Sequence, residues 1–211
     1  MIDLFISIIA VLLFVIVILV GSFIYKYKDK KNYNFLNMFP FEMKGKYHYT
    51  NNLFYLLLTL VLGFTIFASL YIFYISEIIV LSKFLALSLM LCSLFIVSLF
   101  IIDFRNYQLH LLSSIVFATL NVINYGIFAY LGFRFAFTKY PLYSSIIAIV
   151  VCIILVVLLL LPSLKSWYLL KKNQADEFVR SKIHPYAFIE WINIILYFAL
   201  FILATVSKLL M

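Results

Sequence analysis

The sequence predicts an all-α integral membrane protein: a bundle of six transmembrane helices with the N-terminus and the C-terminus outside the cytoplasm. Three observations predict it, namely the composition, six long apolar runs, and the placement of the basic residues. Of the 211 residues, 67% are hydrophobic and only 11% are charged, whereas soluble domains are about 45–50% apolar and about 25% charged. This composition excludes a soluble enzyme, a disordered chain and a fibrous repeat.

Six apolar runs are long enough to cross a bilayer, since a spanning helix needs about 20 apolar residues. They occupy most of the chain, so we expect a single membrane domain over residues 1–211 with no separate soluble domain. Only Ser76 and Glu77 separate the second run from the third, and so short a break is typical of a tight helical hairpin. The six runs are 2–25, 53–75, 78–102, 111–133, 142–161 and 187–209.

The basic residues predict the orientation of the bundle. With the N-terminus outside, the inner segments 26–52, 103–110 and 163–186 hold twelve of the 16 Lys and Arg residues. Because cytoplasmic loops are enriched in positive charge, these segments are expected to face the cytoplasm. The same placement explains the net charge of +8 by the membrane surface, without nucleic acid. The positive charges of the first run follow it, which predicts an uncleaved helix.

The cell type is predicted from size and composition. The small chain, the lack of a recognisable targeting signal, and a residue usage rich in Ile, Phe, Tyr, Lys and Asn favour a multi-pass protein of a bacterial cytoplasmic membrane. The lipid bilayer is then its first partner, and partner subunits in the membrane or the cytoplasm are compatible with the sequence.

The first inner segment is too aromatic for a flexible tether, and it is expected to lie in the inner membrane interface. It serves either as a surface-lying connector or as a platform for a substrate or partner. Trp167 and Trp191 also fall near the predicted inner interface, where aromatic belt residues are common. The aromatic and apolar residues of the segment are Tyr33, Phe35, Met38, Phe39 and Phe41.

The fourth run carries a stripe of polar residues. At 100° per residue, the stripe occupies about one third of the helix circumference, and Thr119 lies opposite. It extends from the inner surface to mid-membrane, because Asn121 and Asn124 are roughly 16–21 Å above His110. Its members are His110, Ser113, Ser114, Asn121, Asn124 and Tyr125.

The sixth run repeats this pattern with Glu190, Asn193 and Tyr197 on one face. Polar residues are costly in lipid, so both stripes are expected to face other helices. They form either a polar path opening to the cytoplasm or a set of interhelical hydrogen bonds. The candidate binding residues are therefore His110, Ser114, Asn121, Asn124, Tyr125, Glu190, Asn193 and Tyr197.

All three histidines, His48, His110 and His184, fall on the predicted inner side, together with Asp103 and Glu190. Three imidazoles with carboxylates could bind zinc and activate water, or they could relay protons. No metal-binding motif joins them, and histidines in loops at an interface are the simple alternative. If the protein is an enzyme, Asp103, His110 and Glu190 are the candidate catalytic residues.

The sequence contains no phosphate-binding loop, dinucleotide fingerprint or nucleophile elbow, so it indicates no cofactor. It favours a small component that binds or translocates a solute or lipid, alone or with partner subunits. One alternative is a membrane-embedded enzyme, dependent on metal or acid–base chemistry, that acts on a lipid-type substrate at the cytoplasmic face. Another is an accessory or immunity protein without chemistry. Convergence of the three histidines would favour the enzyme, and stripes that enclose a route would favour transport.

Overall fold

A computed structural model describes most of the chain. Within helices, the side chains of residues 48–50, 107, 208 and 209 are not described. The expected hairpin at Ser76 and Glu77, the loop 163–183 with Trp167, and the imidazole of His48 therefore lie outside the described part. The described residues are 2–44, 48–75, 80–103, 106–134, 142–160 and 184–209.

Six helices make up nearly all of the described chain, which contains no strand. Each has a stretch long and apolar enough to cross a membrane, which confirms the all-helical prediction and the number of apolar helices. The second helix continues after Ser69 as a π-helical turn, Leu70–Ile75. The helices are α1 Ile2–Asp29, α2 His48–Ser69, α3 Val80–Ile101, α4 Tyr107–Arg134, α5 Leu142–Leu160 and α6 Pro185–Leu209.

Several helices continue beyond the apolar runs. The first reaches Asp29, where hydropathy alone would end it at Tyr25, and α2 begins at His48. A helix needs only its backbone hydrogen bonds to continue, so polar turns outside the apolar stretch remain helical. The end of α1 is marked by Lys30, whose φ of 55° is the left-handed conformation that commonly follows a helix.

The sixth helix is the most enclosed element of the bundle. It packs against α1, α4 and α5, and 61% of its most apolar stretch is buried, against 22% for α5. The outer face of α5 consists of exposed Ile, Leu and Val side chains, as expected of a helix in contact with lipid. The polar residues of α6 are therefore placed inside the protein.

Residues 33–44, which we call the plug, close one end of the bundle. We call that end the inner end. Within the plug, Pro40–Met43 form a short 3-10 helix that contacts α1, α3 and α6. The side chains of Met38, Phe39, Phe41 and Met43 are buried. This differs from the expected interfacial segment, because the protein itself supplies the apolar surroundings that these side chains need.

A glycine on α1 allows the plug to dock. A Cβ atom at Gly21 would lie 2.8 Å from Met43 Sδ and 2.9 Å from Phe54 Cε2. Both distances are shorter than van der Waals contact, so a side chain at this position would force Met43 or Phe54 to shift. The position of Met43 in the plug therefore depends on Gly21.

Replacing Gly21 by alanine should destabilise the protein by about 1–3 kcal/mol, because the added methyl group overpacks the contact with Met43 and Phe54. Thermal unfolding in detergent can be followed with a thiol-reactive dye, since Cys92 is buried. The matched control is Gly63→Ala, where the added Cβ meets nothing within 4 Å and alanine favours the helix. Equal melting temperatures for the two variants would contradict the assignment.

Candidate functional site

A histidine and a glutamate form a buried pair between α4 and α6 at the inner end. The Nε2 atom of His110 lies 3.0 Å from Oε1 of Glu190, and the two side chains are 0% and 1% exposed. The other ring nitrogen, Nδ1, lies 2.8 Å from the carbonyl oxygen of Ile102. Because α3 ends at Ile101, this carbonyl is available to a side chain, and it orients the ring toward α6.

The hydrogen bonds of His110 and Glu190 determine how many protons the pair holds. A carbonyl oxygen only accepts, so Nδ1 of His110 must carry a hydrogen and donate to Ile102. The contact with Glu190 then requires one more proton, located either on Nε2 or on the carboxyl group. Without that proton, lone pairs of the nitrogen and of the oxygen would face each other at 3.0 Å.

The plug covers this pair with two phenylalanine rings. The ring centroids of Phe39 and Phe41 lie 6.1 Å and 5.3 Å from that of His110, both in edge-on arrangements. Phe39 also lies 5.1 Å from the ring of His184. The pair is therefore sealed from the inner end by apolar side chains of the plug.

Hydrogen bonds from Trp191 of α6, from the backbone of His184 and within the plug hold the plug in place. The indole nitrogen of Trp191 donates to the carbonyl of Met38 at 2.9 Å, and the backbone N–H of His184 donates to the carbonyl of Leu36 at 2.8 Å. The carboxylate of Glu42 accepts from the backbone N–H of Phe39 at 2.9 Å. Trp191 is thus buried and bonded to the plug, whereas its sequence position predicted a residue of the aromatic belt.

The expected polar stripes of α4 and α6 meet above the pair. The side-chain nitrogen of Asn121 donates to the backbone carbonyl of Asn193 at 2.9 Å, and the Tyr125 hydroxyl donates to the carbonyl of Leu196 at 2.8 Å. These side chains are buried, whereas Ser114 is only half-buried. Direct hydrogen bonds between the two helices therefore connect the stripes.

Two stripe residues turn toward α3. The hydroxyl of Tyr197 lies 2.6 Å from Ser93 Oγ and donates to the carbonyl of Leu89 at 3.1 Å. The amide nitrogen of Asn124 donates to Cys92 Sγ at 3.3 Å. α3 therefore contributes to the polar interior together with α4 and α6.

Sequence reasoning missed the contribution of α2 and α3. A small cavity of about 10 Å³ is lined by residues that include Thr65 and Ser93, and this volume is close to that of one water molecule. Thr65 and Ser69 are four residues apart and therefore lie on one face of α2. This polar face could have been predicted from the sequence. Ser93 is one of four serines spaced along α3, and their spacing alone does not show which of them faces α6.

Four buried oxygen atoms between α3, α4 and α6 accept no hydrogen bond within the described part of the chain. The amide groups of Asn121 and Asn193 each donate to a backbone carbonyl, which directs their oxygens elsewhere. A buried acceptor without a donor costs about 1–3 kcal/mol, so this region is short of donors. The atoms are Oδ1 of Asn121, Asn124 and Asn193, and Oε2 of Glu190.

The candidate acid–base and metal residues are only partly brought together. His110 and Glu190 are in contact, while Asp103 pairs with Lys44 at 3.5 Å at the end of α3. The described residues contain no group of three His, Cys, Asp or Glu side chains that could hold a metal ion. Both ring nitrogens of His110 are engaged, and the imidazole of His48 lies outside the described side chains, so the zinc hypothesis stays a prediction.

A groove of about 490 Å³ opens at the inner end beside the plug. Three lysines and three carboxylates line it, and within it Lys44 pairs with Asp103. Its balanced charge is compatible with a solvated surface. The lining residues are Tyr25, Lys28, Asp29, Lys31, Phe41, Glu42, Lys44 and Asp103.

Comparison of the chain with models of known protein families, with curated proteins and with solved structures finds no match. The fold alone defines the class, a helical protein with six helices apolar enough to cross a membrane. The buried polar region between α3, α4 and α6 is the part from which a function can be inferred.

Removing His110 should leave the Glu190 carboxyl group buried without its partner. We expect His110→Leu to lower the free energy of unfolding by about 3–5 kcal/mol. The double variant His110→Leu/Glu190→Leu should be more stable than His110→Leu, since it removes the orphaned group as well. Unfolding in detergent, followed by circular dichroism, measures both.

The matched control is Thr119→Val on the exposed face of α4, where the hydroxyl bonds only to its own helix at Ile115. This variant should unfold like the wild type. Strictly additive effects of the two leucine substitutions would show that His110 and Glu190 are not energetically coupled.

Proposed function

We propose that the protein is a multi-pass membrane protein that binds a small polar solute between α4 and α6 and moves it across the membrane. The observation that carries this proposal is the set of four buried acceptor oxygens without donors. A solute that donates hydrogen bonds would satisfy them and regain part of their desolvation cost. Partner subunits are compatible with this role.

The chemistry of the polar region favours an uncharged or weakly charged solute. Three of the four oxygens belong to the neutral amides of Asn121, Asn124 and Asn193. Neutral groups recognise a ligand by directional hydrogen bonds, whereas an ionic ligand needs opposite charge in a buried site. Small polyols, urea and simple amides are suitable probes of this class.

The described conformation is a closed form in this proposal. Phe39 and Phe41 cover the inner end, and Asn121 and Tyr125 bond directly to α6. A solute that enters the polar region must therefore displace the plug and replace these interhelical bonds. This requirement links binding to a conformational change.

The orientation and the membrane are part of the proposal. Positive charge in the segments 26–52 and 163–186 favours an inner end in the cytoplasm and both termini outside. Residue usage favours a bacterial cytoplasmic membrane. The plug and the His110–Glu190 pair would then face the cytoplasm.

A membrane enzyme is the second candidate, and the His110–Glu190 pair is the observation that favours it. An imidazole and a carboxyl group that share a proton can act as acid and base on a bound substrate. Both side chains are covered by the plug, so a lipid-type substrate would also have to displace Phe39 and Phe41. This candidate requires a new lipid product, detected by mass spectrometry in proteoliposomes and lost with Glu190→Gln, which keeps a hydrogen bond to His110.

Reporter fusions test the orientation. A reporter active only in the cytoplasm should give signal when fused at Lys30 or at Ala175, because both positions lie in segments expected inside. The same reporter fused at Thr138 should be silent. The reverse pattern would overturn the orientation.

Solute flux tests the proposed function. In proteoliposomes, light scattering should show faster entry of glycerol or urea than in protein-free liposomes. Asn121→Leu and Asn124→Leu should each slow this entry by about fivefold, since one lost hydrogen bond is worth about 1 kcal/mol. Thr119→Val is the control and should retain the wild-type rate.

Unchanged flux in both asparagine variants, together with lowered thermal stability, would show that these amides only join the helices. Flux of neither probe above the protein-free rate would contradict the proposal for this solute class.

A further inference from the structure

The contact between His110 and Glu190 can exist in its described form only with one shared proton. The Nδ1 hydrogen is committed to the carbonyl of Ile102, so the ring cannot switch to the other neutral tautomer without losing that bond. If the shared proton leaves, Nε2 presents a lone pair to Oε1 of a carboxylate at 3.0 Å. The two groups must then separate or admit water.

The ionisable groups nearest to His110 and Glu190 have contacts of their own with the plug. At the end of α3, Asp103 acts on His110 electrostatically, but this carboxylate is paired with Lys44 of the plug. The other carboxylate of the plug, that of Glu42, caps Phe39. At the start of α6, His184 packs on Phe39. The His110–Glu190 contact is buried, whereas the Lys28–Asp29 and Lys44–Asp103 pairs are partly exposed.

The plug rests directly on this pair. Phe39 and Phe41 pack edge-on against the His110 ring, and Trp191, the residue after Glu190, donates to the plug at Met38. A movement of the ring or of the Glu190 side chain therefore changes the surface on which the plug lies. Water that entered between the two groups would also lift the apolar rings from that surface.

We infer that His110 and Glu190 form a proton-binding site whose occupancy holds the plug closed, and that loss of the proton opens the inner end. This inference rests on the proposed function, in which the plug is the gate of the solute route. Closing takes up one proton from water, as an N–H or O–H bond on the pair. Opening returns that proton to water, and no other covalent bond changes.

Hydrogen exchange of the plug tests this inference. The full-length protein in lipid nanodiscs is compared with Glu190→Gln between about pH 5.5 and about pH 8.5, on either side of the ordinary histidine range. The glutamine amide can donate to Nε2 as the protonated carboxyl does, and it releases no proton. Comparison at equal pH cancels the intrinsic pH dependence of exchange.

We expect protection of residues 33–44 to fall in the wild type relative to Glu190→Gln as the pH rises. Linkage to one proton limits the change to about tenfold per pH unit. Protection of α5 should be the same in both proteins at each pH, which shows that the variant is folded. Equal protection of the plug in both proteins at every pH would overturn the inference.

The emission of Trp191 provides a second measurement that does not need a substitution at Glu190. In a Trp167→Phe background, emission should shift to the red as the pH rises, because the opened plug exposes the indole to water. Emission that is constant with pH would overturn the inference even if Glu190→Gln does not fold.

Neither measurement uses a solute, so the proton site and the solute route are tested independently of each other. If the plug follows pH but neither glycerol nor urea crosses, the proton site stands and the solute route fails. If solute flux is present but the plug ignores pH, the solute route stands and the proton site fails.

Discussion

Polar groups in apolar surroundings need partners within the protein, and this constraint decides how the helices are arranged. The surface of the bundle consists largely of Ile, Leu, Phe and Val side chains. Against lipid, such side chains would gain little from facing one helix rather than another. Hydrogen bonds and close packing therefore determine which helices become neighbours. His110, Asn121 and Tyr125 each reach a group on α6, and this places α6 inside the bundle.

The plug extends the same constraint to the inner end. Helix ends leave backbone groups without helical partners, and here the chain between α1 and α2 supplies contacts for α6 through Leu36 and Met38. Its apolar side chains Met38, Phe39, Phe41 and Met43 are buried there. Gly21 permits this docking, since any larger residue would meet Met43. The close packing of Met43 against α1 thus depends on Gly21.

The structural and functional interpretations of the polar interior use different atoms of the same residues. The amide nitrogens of Asn121 and Asn193 join helices or reinforce one, as interhelical adhesion requires. Their oxygens and Oε2 of Glu190 have no such task in the described chain. These spare acceptors are the atoms on which the proposed binding of a solute rests.

The sequence by itself determined the six helices, because apolar length is a local property, and it determined which face of α4 and α6 is polar, because the helical period places residues three or four apart together. It could not select the partners. His110 and Glu190 are 80 residues apart, Asn121 bonds to a backbone carbonyl that every residue possesses, and Tyr197 turns to α3. The burial of Phe39 and Phe41 against His110 was likewise decided by the tertiary structure. Periodicity gives the direction of a side chain from its own helix, whereas the group that it meets depends on how distant helices pack.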